Sequence, residues 1–245
     1  MDKSYELKYH RLEETQWWFV SRRDILLKLI EQSNFGKDAR ILEIGCSGGP
    51  LLKILKEAGY THAYGIDISE KAIDLCKRRE IDNAMLMDGT KTRFGDNEFD
   101  IVISSDVLEH IEDEASALSE WHRILKPDGK LIVFVPAFNF LWSGHDEVNL
   151  HYRRYSKSQL TERSGKAGFE IDKNSYWNFT LFFPAALIRL SQRLFRRKTG
   201  KPKGQLYDLN PVVNKCLVVL LRCENWFLNF FNFPVGVSVF VVCRK

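Results

Sequence analysis

The stretch Arg40-Ile41-Leu42-Glu43-Ile44-Gly45-Cys46-Ser47-Gly48-Gly49-Pro50-Leu51-Leu52 runs from a short apolar segment through a glycine-rich turn. Leu51, Leu52, Ile54 and Leu55 then recur at helical spacing, so the order is strand, turn, helix. Glycines at the end of a first strand let the backbone approach a ligand closely, and the helix that follows directs its positive end there. On the N-terminal side, Ile25, Leu26, Leu29 and Ile30 predict a helix over Ser21 to Gln32, which Asn34-Phe35-Gly36 stops.

C-terminal to the turn the alternation repeats. Strands are predicted over Ala63 to Asp67, Ala84 to Met87, Asp100 to Ser104 and Lys130 to Val135, with helices over Ser69 to Arg79, capped by Ser69, and Glu114 to Leu125. Lys126-Pro127-Asp128-Gly129 reads as the break between the last helix and strand. Such alternation argues for a doubly wound α/β fold whose sheet is mostly parallel and covered on both faces. After Pro136 a loop rich in aromatics and charge, Phe138 to Tyr155, precedes a helix over Leu160 to Ala167 and a strand over Phe169 to Phe179. Helices over Phe182 to Arg197 and Val212 to Phe231 and a strand over Val237 to Val242 complete the chain.

Asp67 ends the second strand, where a carboxylate can accept hydrogen bonds from both ribose hydroxyls of an adenosine ligand, and Asp88 follows the third, near the adenine amino position. A nicotinamide-dependent dehydrogenase also places an acid after its second strand, but its G-x-G-x-x-G fingerprint needs glycine where Ser47 stands. Leu42 to Gly49 resembles the first motif of class I S-adenosylmethionine-dependent methyltransferases, and Gly65-Ile66-Asp67-Ile68-Ser69 resembles the second. Ser104 to Ile111 and Leu125 to Leu131 resemble the motifs around the fourth and fifth strands. Ser47 departs from the pattern, since most members carry glycine there.

Glu14 to Phe19, Arg22-Arg23, Phe183-Pro184 and Pro234 to Ser238 extend the likeness to a bacterial and archaeal group of unassigned substrate. The resemblance implies a seven-stranded Rossmann-like sheet ending in an antiparallel hairpin, with a helical insertion before the last strand. It organises residues 1–245 as a single methyltransferase domain. Within it, 1–36 forms a helical cap, 37–136 the cofactor-binding core, and 137–245 the substrate-side loop, insertion and last strands. It also implies that S-adenosyl-L-methionine binds through Glu43, Gly45, Cys46, Ser47 and Gly49, then Asp67 and Ile68, then Asp88, Gly89 and Ser105, leaving S-adenosyl-L-homocysteine as product.

Methyl transfer is an in-line displacement at a sulfonium carbon, so the enzyme aligns a nucleophile opposite the sulfur and excludes water. A base is needed only where that nucleophile carries a proton. In doubly wound sheets the ligand lies at the carboxyl ends of the strands, which puts Ser105 to His110 and the loop after Val135 beside the methyl group. His110 is expected to titrate near neutrality as one candidate base, and His145, Asp146 and His151 form the preferred polar group. Trp17, Trp18 and Phe19 read either as a lid over the cofactor or as anchors into the core.

The 245 residues are 44% hydrophobic and 28% charged, enough for a full core and against disorder. The formal net charge is +4, concentrated in Arg189, Arg193, Arg196, Arg197, Lys198, Lys201 and Lys203. Phe182, Phe183, Leu187 and neighbouring apolar residues share that segment, which reads either as an ordinary amphipathic helix packed on the core with a solvated basic face or as a site where an amphiphilic acceptor would lay its chain on them and its anionic group near Arg189 or Arg193.

Five scattered cysteines show no C-x-x-C pair and no Cys/His cluster at zinc spacing; they read as reduced thiols, and no metal is expected. The apolar runs fall short of the roughly 20 residues of a spanning helix. The N-terminus is too polar for a signal peptide, so the expected location is cytoplasmic with peripheral contact to the inner face of the membrane. The expected activity is methylation, on oxygen, of a small or lipid- or sugar-linked acceptor. The alternatives are a nucleic-acid or protein methyltransferase, or a cofactor-binding protein without catalysis. Amino-directed nucleic-acid enzymes carry an Asn/Asp-Pro-Pro-aromatic motif where Ser104-Ser105-Asp106-Val107 stands, so no nucleic-acid partner is expected.

Overall fold

The computed structural model describes residues 3–195 and 208–245. Two helices, α1 (Lys3–Leu12) and α2 (Trp17–Glu31), precede β1 (Arg40–Ile44), α3 (Pro50–Glu57), β2 (His62–Asp67), α4 (Glu70–Arg78) and β3 (Ala84–Leu86). They are followed by β4 (Phe99–Ser105), α5 (Glu114–Ile124), β5 (Leu125–Pro136), α6 (Gly144–Asn149), α7 (Lys157–Lys166) and β6 (Glu170–Trp177). The last elements are α8 (Phe182–Phe195), α9 (Pro211–Phe227) and β7 (Ser238–Arg244).

Seven strands form one sheet in the order β3-β2-β1-β4-β5-β7-β6. The first five are parallel, whereas β7 runs antiparallel to both β5 and β6. The chain reverses strand order between β1 and β4, which opens a crevice at their carboxyl ends. Helices on both faces explain why Ile41, Leu42, Ile44, Val102, Ile103 and Leu131 to Val135 are buried on successive positions instead of alternating.

Four departures from the sequence reading concern local signals. First, α2 begins at Trp17, four residues ahead of expectation, because the Gln16 side chain accepts from Trp18 N and caps it. Second, the helical cap expected over 1–36 holds a helix, α1, ahead of the one placed at Ser21 to Gln32. Third, Lys126 to Gly129 belongs to β5: the register against β4 slips between Phe99–Leu125 and Ile101–Lys130, so the turn signal marks a bulge within the strand. Fourth, the expected loop Phe138 to Tyr155 contains α6, started by a reciprocal Ser143–Asp146 capping box.

The insertion between β6 and β7 ties the N-terminal helices to the sheet. From α9, Asn214 Oδ1 accepts from Trp17 N at 2.8 Å, and Asn225 bridges Ser21 O (3.1 Å) and Trp177 Nε1 (2.8 Å). Glu224 accepts the backbone N–H groups of Phe179 and Thr180 at 2.7 and 2.9 Å, which closes the end of β6 onto α9. Among the described residues no helix is long and apolar enough to cross a membrane.

Candidate functional site

At the end of β1 the backbone N–H groups of Gly45 and Cys46 both donate to Ile66 O, at 2.8 and 3.0 Å, and pull the turn against β2. Gly45 has φ +73°, and a Cβ there would stand 2.4 Å from Val107 Cγ2, so glycine is required on both counts. Ser47, the departure from glycine, also takes a positive φ of 50°. Its strain is offset by contacts: Ser47 N donates to Asp67 Oδ2 at 2.9 Å, and its Oγ donates to Glu13 Oε2 at 2.6 Å. Arg79 Nη1 closes the same knot on Glu13 Oε1 and Gly48 O, each at 2.7 Å. Burial works to raise the Glu13 carboxyl, but hydrogen bonds from His10, Ser47 and Arg79 win and hold it below the ordinary value.

Asp67 receives Ser69 N on its other oxygen at 2.8 Å, so its carboxylate is held in the wall of a cavity of about 550 Å³. Gly45, Ser47, Asp67, Ile68, Asp88, Gly89 and Ser105 line that cavity. Glu43, Cys46 and Gly49 are not among its lining residues: Glu43 and Cys46 are buried in and beside β1, and Gly49 starts α3 facing Ile81. Burial pushes the Glu43 carboxyl well up, and its Oε2 has no hydrogen-bond partner. Ile68, 75% exposed, and Met87, Val107 and Ile111 give the cavity apolar walls suited to a flat ring, with a carboxylate at one end for hydroxyls. This chemistry fits an adenosine-containing cofactor.

A second cavity, of about 420 Å³, adjoins the first, and Tyr9, Asp106 and His110 line both. Its walls are Trp17, Trp18 and Phe19 from α2 and Leu181, Pro184, Ala185 and Ile188 around the start of α8, with Glu109, His145, His151, Arg154 and Arg189 as polar members. The adjacent aromatics of α2 therefore line this cavity and not the one beside Asp67. Trp18 also meets Trp177 edge-on at 4.9 Å, and with it and Phe134 boxes the buried Arg22 guanidinium at 4.2 to 5.3 Å. Arg22 Nη2 donates to Ser238 Oγ at 2.8 Å and stands 3.6 Å from Asp106 Oδ2, steadying the residue at the junction.

The polar group expected after β5 is brought together, with unequal parts. Asp146 is fully buried and lines neither cavity; Arg154 Nε at 2.7 Å and His151 Nδ1 at 3.0 Å both donate to its Oδ1. Desolvation favours its neutral form, but His151 and Arg154 outweigh it and hold the carboxyl low. His151 packs edge-on against His110, ring centroids 4.5 Å apart, and its Nε2 lies 4.0 Å from Glu109 Oε1. His110 does not titrate near neutrality: burial first, and then His151, push it down to about 3. His145 is likewise pushed down to about 4, chiefly by burial.

Phe183 and Leu187, expected to hold an acceptor chain, are exposed and line neither cavity, and Phe182 packs on Phe138 and Phe140. The residues of the insertion that line the cavity are instead Leu181, Pro184, Ala185 and Ile188. Arg189 lines the cavity with them, while Arg193, Arg196, Arg197, Lys198, Lys201 and Lys203 lie outside the described side chains. Tyr9, His10, Glu13, Arg22, Asp106 and Glu109 went unpredicted as site residues. Asp106 and Glu109 stood within a quoted motif; for α1, no sequence signal distinguished the site-facing positions.

The family described as "Methyltransferase domain" matches residues 42–133. A probable S-adenosylmethionine-dependent methyltransferase of Mycolicibacterium smegmatis is 27% identical over 188 residues, 74% of this chain and 69% of the relative. A ubiquinone biosynthesis O-methyltransferase of Aromatoleum aromaticum is 33% identical over 107 residues, 41% of this chain and 45% of that protein. The chain thus spans about two thirds of the first relative and less than half of the second. The crystal structure of an S-adenosylmethionine-dependent methyltransferase from Archaeoglobus fulgidus superimposes with a TM-score of 0.62 at 20% identity, covering 100% of both chains.

Proposed function

Because the chain is a class I S-adenosylmethionine-dependent methyltransferase, we propose that it methylates a hydroxyl of a small amphiphilic acceptor bound in the cavity of about 420 Å³. The observation that carries this reading is the junction: two cavities of different chemistry meet at Tyr9, Asp106 and His110, where a donor in one and an acceptor in the other would face each other. When bound, the cofactor supplies an electrophilic methyl on a sulfonium.

The chain's own part is to hold and align. Asp67 accepts the ribose hydroxyls, Asp88 faces the adenine edge, and Ile68, Met87 and Val107 cover the ring. The turn Gly45 to Ser47 brings backbone close to the ligand, and Gly89 and Ser105 complete the wall. On the acceptor side, apolar walls from α2 and α8 face a polar cluster of Asp106, Glu109, His110, His151 and Arg154, a division that suits an amphiphile. Glu109, His110 and His151 are the polar groups offered to the acceptor hydroxyl there, and Asp146 positions His151. The similarity to an O-methyltransferase of ubiquinone biosynthesis supports oxygen as the methylated atom. Exposed Phe183, Leu187, Phe230 and Phe231 on the insertion support delivery of the acceptor from a membrane surface.

The test is cofactor turnover by the full chain supplied in turn with lipid-soluble phenols, polar sugars and RNA. Turnover with the phenols supports the reading; turnover confined to RNA or to polar sugars overturns it.

A further inference from the structure

We propose that Glu109, His110 and His151 form a binding site for one divalent first-row transition-metal ion at the junction of the two cavities. One carboxylate oxygen and one ring nitrogen from each histidine lie within 4.8 Å of one another. Ligand atoms about 2.1 Å from a common ion stand roughly 3.4 Å apart in tetrahedral geometry, so side-chain shifts on the order of 1 Å complete the set.

Three independent features point the same way. Glu109 is 1% exposed, lines the acceptor cavity, and its Oε2 has no hydrogen-bond partner. A buried carboxylate oxygen without a partner is costly, and a cation removes that cost. Neither guanidinium group that reaches Glu109 electrostatically hydrogen-bonds its carboxylate: Arg22 donates through Nη2 to Ser238, and Arg154 donates to Asp146 and Ala137 O. Finally, Asp146 Oδ1 at 3.0 Å from His151 Nδ1 fixes the tautomer that leaves the Nε2 lone pair toward Glu109, the carboxylate–histidine arrangement that supports metal-ligating imidazoles.

Two imidazoles and one carboxylate select a borderline ion such as Zn²⁺, Co²⁺ or Fe²⁺ over Mg²⁺ or Ca²⁺, which prefer oxygen donors. Three protein ligands leave coordination positions open toward the cavity, where a hydroxyl oxygen can bind and become more acidic, its proton leaving to solvent. That role in acceptor binding rests on the methyltransferase reading; the ion site itself does not. The ligands escape a motif search because Glu109 and His110 are adjacent and His151 arrives from beyond α6, through Tyr152 N donating to Glu109 O at 2.8 Å.

The experiment is titration of the chelator-treated full chain with Co²⁺, followed by visible absorption and equilibrium dialysis, with X-ray absorption of the Zn²⁺-loaded protein. The expected results are one Co²⁺ per chain and an absorption spectrum of imidazole ligation. Affinity should fall at least 10-fold in both His151→Ala and Glu109→Gln, and roughly 10- to 100-fold in Asp146→Asn. The zinc shell should contain nitrogen and oxygen only. No stoichiometric Co²⁺ in the unmodified chain overturns the site, as does sulfur in the zinc shell, which would assign the ion to the exposed Cys216 and Cys223. Equal competition by Mg²⁺ overturns it as well. Cofactor binding by calorimetry is run alongside, so loss of the metal site leaves the methyltransferase reading standing.

Discussion

Asp146 Oδ1 takes hydrogen bonds from two side chains at once, Arg154 Nε at 2.7 Å and His151 Nδ1 at 3.0 Å, while Asp146 is wholly buried. One carboxylate thus joins the stability of the β5–α7 connection to the orientation of a ring in the acceptor cavity. Asp146→Ala leaves the Arg154 guanidinium buried without its counter-charge. That should cost about 3 to 5 kcal/mol, or roughly 6 to 20 °C in melting temperature for a chain of this size, read by calorimetry. A shift of under 2 °C would show that the pair carries no net stability.

His151 lines the acceptor cavity and not the cofactor cavity, so its removal should separate the two functions. His151→Ala is expected to lower kcat by roughly 100-fold or more while the cofactor Kd stays within twofold. Full turnover in that variant would remove His151 from the reaction and shift attention to His110.

Glu13 makes the anchoring of α1 sensitive to acid. Its folded pKa lies below the unfolded value of about 4.3, so its contribution to stability is present above that value and is lost as pH falls through the folded one. In urea unfolding, the stability gap between the unmodified chain and Glu13→Gln should be widest near pH 7 and close below pH 4. A gap that holds constant on acidification would place the Glu13 contribution in packing, not charge.

The five parallel strands were legible because their apolar runs are short and bounded, by glycine or aspartate at the carboxyl edge as at Gly45 and Asp67, or by Pro136 in β5. What escaped was built by contacts between distant segments. The helix α1 carries little apolar periodicity, yet its His10, with Glu13 just past its end, secures Ser47 at the turn. Glu109 meets His151 only because the chain after α6 folds back on the turn after β4. The Ser143-x-x-Asp146 box was a readable helix start inside the segment taken as a loop, and Pro127 with Gly129 masked the continuity of β5.

An acceptor drawn from a membrane should bring the exposed apolar residues of α8 and the α9 end into contact with lipid. Binding to anionic liposomes is expected at low salt and should weaken as salt rises, since charge attraction is screened over about 8 to 10 Å at physiological strength. Leu187→Glu with Phe230→Glu should reduce it. Equal partition of the double variant and the unmodified chain would detach these residues from any membrane contact.

The central claim, that the cofactor lies along the carboxyl ends of β1 and β2 with its ribose on Asp67, is tested by calorimetry of S-adenosylmethionine on the unmodified chain and Asp67→Ala. The account predicts one site per chain and a loss of more than tenfold in the variant, from roughly 2 to 3 kcal/mol for a carboxylate pairing with two hydroxyls. Unchanged affinity in a folded Asp67→Ala protein would contradict it.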